Sequence, residues 1–146
     1  MNRTMPPQPG MTTEGTLRFV RILHGALLVS MLLYAVIMYV VPSTTRDKPP
    51  LVEVEALAVI GVALICVAIW LRRKRIDAAF ELLRTKPNDA GALQDWRQGA
   101  VLSATMAEAL VLFSVALHFM GGSRVEVGGF WVAGVIAMLG WWPQQP

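Results

Sequence analysis

Charge is what this sequence has least of. Asp, Glu, Lys and Arg make up 16% of its 146 residues, against about 25% in soluble domains. With one exception they avoid the interiors of four long apolar runs, which argues against a soluble domain and for membrane-spanning helices. Cysteine occurs once, as Cys66 within an apolar run. No disulfide can form within the chain, and Cys66 reads as a small packing residue. No CxxC, HExxH, GxGxxG or P-loop pattern is present, so the common metal, dinucleotide and nucleotide sites lack their signatures. Neither a Ser-His-acid nor a Cys-His arrangement can be assembled. The expectation is a protein with no cofactor and no resident metal that is not an enzyme, and nothing points to nucleic acid.

What is there is apolar sequence with clear punctuation. Residues 1–16 are polar and proline-bearing and read as a mobile arm. Behind it the sequence predicts one membrane domain, residues 17–146, with spans at about 17–41, 51–71, 97–120 and 125–142. The first apolar run is too long for a signal peptide and is closed by no small-residue cleavage site. Pro42 ends the first span. Glu53 and Glu55 sit in the first turn of the second, where acidic groups favour a helix N-terminus. Gly121-Gly122 ends the third, and Trp141-Trp142-Pro143 ends the fourth. In the fourth, Gly129, Ala133 and Ala137 at four-residue spacing read as a tight packing face. The expected fold class is therefore all-α, an integral membrane four-helix bundle.

The long connection, residues 72–96, opens with Arg72, Arg73, Lys74 and Arg75. Next, Ile76, Ala79, Phe80 and Leu83 form an apolar stripe at helical spacing, with Asp77, Glu81 and Arg84 off it. This predicts a short amphipathic helix lying on the membrane surface or on the bundle. Pro87 breaks it, and Asn88 or Asp89 caps a helix that runs through Trp96 into the third span. The four basic residues read as a topology signal and a lipid-headgroup cluster, worth about 1 kcal/mol per basic residue near an anionic surface.

One side of the expected bundle collects Arg3, Arg18, Arg21, Arg72, Arg73, Lys74, Arg75, Arg84, Lys86 and Arg97, out of 13 Lys and Arg in all. The other holds Arg46, Lys48 and Arg124. The positive-inside rule then places both termini and residues 72–96 in the cytoplasm, and the protein in the cell inner (cytoplasmic) membrane.

The exception among the charges is Glu108, deep in the third span. A carboxylate there costs a few kcal/mol or more, so it should be protonated, paired with a cation or facing water. Ala100, Ser103, Ala104, Ala107, Ser114 and His118 line an adjoining face that suits close helix packing. Arg18, Arg21 and His24 recur every three residues at the start of the first span and read as one face. His24, or Arg21 reaching inward, is the expected partner of Glu108. His118 lies near the opposite end, close to Glu53, Glu55, Glu126 and Arg124, and reads as part of an interfacial polar cluster.

The segment AEALVLFSVAL, with Arg97-Gln98 ahead of it, resembles the ion-binding helix of the rotary ATP synthase c subunit. That resemblance covers about 25 residues and implies a proton- or cation-carrying role for Glu108. The span before it lacks that family's glycine repeat, the connection is far longer, and two further spans are present. Over the whole chain, the landmarks WRQG, AEALVLF, GG and WWP, at Trp96, Ala107, Gly121 and Trp141, are similar to those of a set of small bacterial four-span membrane proteins. That similarity implies a fold and no activity.

Two roles follow as expectations: a non-catalytic accessory or scaffold subunit of a membrane complex, or a proton or cation pathway centred on Glu108. The expected partners are the lipid bilayer and other membrane subunits or a second copy of the chain. The orientation is directly testable. In a Cys66→Ala background, Thr85→Cys should react with an impermeant maleimide only in inverted vesicles, and Ser43→Cys only in intact cells. The reverse pattern would invert the topology.

Overall fold

The computed structural model describes residues 12–43 and 51–143. Residues 1–11, most of the expected arm, and 44–50 of the first connection lie outside the described residues. Thr13 to Thr16, read above as the end of the arm, are already helical. The helices are α1 (Thr13–Val40), α2 (Leu51–Leu71), α3 (Ala78–Thr85), α4 (Ala90–Phe119) and α5 (Arg124–Gly140). No strand occurs among the described residues.

Each boundary has a local cause. The Thr12 side chain accepts from Gly15 N at 3.1 Å and starts α1. Asp89 does the same for α4 through Ala92 N at 2.9 Å. Ser123 and Glu126 form a reciprocal capping box at α5. α4 stops where Gly121 takes φ 83°, a left-handed conformation that glycine adopts without penalty. Gly122 N then bonds Leu117 O at 2.7 Å and Gly121 N bonds His118 O at 3.2 Å, the paired bonds of a Schellman ending.

Residues 72–77 do not form the expected loop. α2 runs on through a π-helical stretch, Arg72–Asp77, into α3, making one rod of 35 residues, Leu51–Thr85. Nothing in Leu71-Arg72-Arg73-Lys74 breaks a helix, since Arg and Lys are good helix formers. The amphipathic stripe is present, but it belongs to this rod and not to a separate surface helix. Its apolar residues Ile76, Ala79 and Leu83 are buried against α1 and α4. Only Lys86 to Asp89 leave the helical path.

α1, the α2–α3 rod and α4 are long and apolar enough to cross a membrane. α5 is shorter: 17 residues, about 25 Å at 1.5 Å per residue, against a hydrocarbon thickness of about 30 Å.

α4 is the centre. It packs against α1, α2, α3 and α5 and carries more buried residues than any other helix. α2, by contrast, buries only Gly61 and Ala68 along its length. The described helices thus form a cluster about α4 with α2 on its flank. α1 and α4 run parallel in constant register: Ser30–Glu108, Met38–Ser114 and Val41–His118 are contacts separated by 78, 76 and 77 residues.

Two cores result. One joins the start of α1, α3 and the start of α4 through Leu17, Val20, Ile76, Leu83, Leu93 and Trp96. In water, burying a side chain such as Leu83 or Ile76 is worth about 1.5–3 kcal/mol. The other joins the middles of α1 and α4 to the C-terminal part of α5 through Met31, Ala104, Ala107, Val111 and Met138. In a membrane, lipid would be as apolar as these side chains, and close van der Waals fit would hold this second core together.

That fit rests on Gly134, where a Cβ would lie 2.6 Å from Val111 Cγ2 and 2.8 Å from Ala107 O. The expected Gly129/Ala133/Ala137 face is corrected in part: Ala137 does pack against the second core, but the tight contact with α4 is made at Gly134, while a Cβ on Gly129 would touch nothing within 4 Å. Accordingly, Gly134→Ala should destabilise the protein by about 1–3 kcal/mol through overpacking. Gly129→Ala should stay within about 0.5 kcal/mol. Thermal unfolding in detergent would compare them, and equal melting points would contradict the assignment.

Candidate functional site

The polar side chains of the helix interior lie on the faces where α1, α4 and α5 meet. Glu108 points from α4 toward α1, half-buried, as its position at the edge of the small-residue face implied. Its partner is Ser30, whose Oγ lies 2.7 Å from Glu108 Oε1 and 2.9 Å from Leu27 O. A hydroxyl carries one hydrogen, so Ser30 cannot donate to both oxygens at once. Ser30 Oγ–H therefore donates either to Glu108 Oε1 or to the Leu27 carbonyl.

The expected pair with His24 is not formed. His24 is 3% exposed, and its Nε2 donates to Met138 O at 2.8 Å. Counted from the edges of the apolar runs, His24 and Glu108 fall at similar depths. The helices begin earlier, at Thr13 and Ala90, and the register of about 77 sets His24 level with Val101. Glu108 is seven residues further on, roughly 10 Å along the axis. Arg21 stays exposed on α1 and does not reach Glu108. Nor do Arg18, Arg21 and His24 share a face: each three-residue step on an α-helix falls about 60° short of a full turn. Over two steps this leaves the arginines outside and turns His24 inward.

The two histidines turn out to do the same thing at opposite ends. Met138 lies in the last turn of α5, where carbonyls have no intrahelical donor: Trp141 N bonds Ala137 O and Trp142 N bonds Leu139 O. His24 supplies the missing donor from α1. At the other end His118 Nε2 donates to Val41 O at 2.8 Å, just past the end of α1. Each histidine therefore caps the C-terminus of a neighbouring helix, which also suits the negative end of that helix dipole. Trp131 Nε1 adds a third crossing bond, to Met31 O at 3.2 Å. Nothing in the sequence marked Ser30, Met138 or Val41 as partners, because a backbone carbonyl has no sequence signal and Ser30 is one of several hydroxyls in spans.

Among the described residues no group of three or more His, Cys, Asp and Glu is gathered closely enough to hold a metal. No buried side-chain nitrogen or oxygen among them is left without a hydrogen-bond partner. The basic residues gather at one end. Arg72 lies over the Trp141 ring at 5.6 Å, Lys74 over Trp70 at 4.8 Å and Arg97 over Phe19 at 4.3 Å. Arg75 reaches Gln98 at 2.6 Å and Asp95 at 3.9 Å, and Arg73 is exposed.

A double-mutant cycle on Ser30→Ala and Glu108→Ala, read by thermal unfolding, should show a coupling of about 0.6–1.7 kcal/mol, the range for hydrogen bonds between membrane helices. The same cycle on His24→Ala and Glu108→Ala should be additive within about 0.5 kcal/mol. Coupling in the second cycle but not the first would restore the histidine pair.

No protein-family model, curated protein sequence or solved structure matches this chain.

Proposed function

We propose that this protein is a non-catalytic accessory or scaffold subunit of a membrane complex. In this reading it is a four-span protein of the cytoplasmic membrane, with both termini and residues 72–96 on the cytoplasmic side. The observation that carries it is the use to which the interior polar groups are put. Ser30, His24, His118 and Trp131 each bond a neighbouring helix, so the interior chemistry supports helix register. The outward apolar faces support it further: Val29, Leu32, Leu33 and Val36 of α1 and Val52, Val59, Ile60 and Val62 of α2 are all exposed. Lipid or an apolar helix of another subunit would cover them.

A second reading is favoured by one observation, the half-buried carboxylate of Glu108 within an apolar helix, held by Ser30 Oγ at 2.7 Å. In that reading Glu108 is the proton- or cation-holding group of a pathway, in the sense of the c-subunit resemblance.

Tagged protein purified from native membranes in mild detergent should bring down a stoichiometric membrane partner. In liposomes the purified chain should pass no protons beyond the lipid background. Proton flux that is abolished by Glu108→Gln, with the melting point unchanged, would replace the first reading with the second.

A further inference from the structure

A pocket of about 360 Å³ opens at the basic end, between the π-helical turn, α3, the first turns of α4 and the end of α5. Its walls carry charges of both signs. Arg72 is half-buried with its guanidinium over Trp141. Asp77 lies five residues on, one π-helical turn away, and Glu81 one α-turn beyond that. Arg72 and Asp77 belong to no ion pair within 4.0 Å among the described residues. Glu81 makes only an exposed contact with Arg84 at 3.7 Å. Trp142 and Phe80 complete the aromatic part of the lining. Trp142 is itself held edge-on against the capping residue His24, with ring centroids 5.1 Å apart.

Asp77 is near enough to Arg72 to act on its charge, but opposite charges that share a pocket without direct contact suit a ligand that carries both and can bridge them. An arginine beside tryptophan suits a phosphate. Two carboxylates beside aromatic rings suit an ammonium group. The Trp pair places the pocket at the level where tryptophans meet headgroups. We propose that this pocket binds the headgroup of a zwitterionic phospholipid with a primary ammonium, its phosphate on Arg72 and its ammonium on Asp77 and Glu81. The basic cluster alone attracts any anionic lipid; this pocket would select for the zwitterion. The proposal rests on the membrane placement of the chain and not on its role as an accessory subunit.

The test is native mass spectrometry of the full chain in non-ionic detergent, titrated with phosphatidylethanolamine or with phosphatidylglycerol of the same acyl chains. Phosphatidylethanolamine should be retained preferentially. Arg72→Gln should weaken its retention about tenfold or more, as loss of a charge-assisted bond implies. Asp77→Asn should weaken phosphatidylethanolamine and spare phosphatidylglycerol. Arg73→Gln, an exposed member of the same basic cluster, should change neither. If Arg72→Gln does not fold, Asp77→Asn decides, since Asp77 is exposed and holds no packing contact in either core. Equal retention of both lipids with no effect of Asp77→Asn would overturn the proposal in favour of general attraction to basic residues. Binding of soluble glycerophosphoethanolamine as tight as that of the lipid would overturn the membrane source of the ligand.

Discussion

The close approach of α4 to α1 and α5 is the constraint on which the remaining structure depends. In lipid, apolar surface gains nothing by touching other apolar surface, so helices associate where their backbones can come near. α4 provides such a face in Ala100, Ser103, Ala104, Ala107 and Ser114, and α5 answers with Gly134. Outside the apolar runs a different force takes over. The Ile76–Leu83 stripe, Leu17, Leu93 and Trp96 form a core of ordinary hydrophobic burial, which anchors the α2–α3 rod to α4 where α2 itself scarcely packs.

Hydrogen bonds then fix the depth at which the helices meet. The Ser30–Glu108 bond and the two histidine caps act at three levels along the helices. A slip of one residue would break them together and leave polar groups unpaired in an apolar medium, where each costs several kcal/mol. Glu108 belongs to this set through the bond it accepts from Ser30. The Arg72 pocket lies at the same end as His24 and shares Trp142 with it. The ring of Trp142 thus lines the pocket and packs against the residue that caps α5.

The apolar runs, their end signals and the clustering of basic residues were legible because each is written in contiguous residues. Asp89, Gly121-Gly122 and the alanine-serine face of α4 lie where hydrophobic patterning and capping chemistry put them. The connection at residues 72–77 was misread because a basic run looks like a loop at a membrane edge, although nothing in it opposes a helix. The His24–Glu108 pair failed for a different reason: the axial register of α1 against α4 is set by tertiary packing, and the observed offset of about 77 residues puts Glu108 about two turns beyond His24.

The sequence by itself determined that the protein is all-helical, that its long helices are apolar enough to cross a membrane, and that one end is basic. Hydropathy, capping and charge are local or additive properties. Only the tertiary structure decided that Glu108 meets Ser30, that both histidines cap neighbouring helices, that Gly134 and not Gly129 lies at the tight contact, and that Arg72 and Asp77 share a pocket with Trp141. Each of these depends on the rotation and axial register of one helix against another. Those are set by the sum of many small packing contacts and leave no mark in any single stretch of the chain.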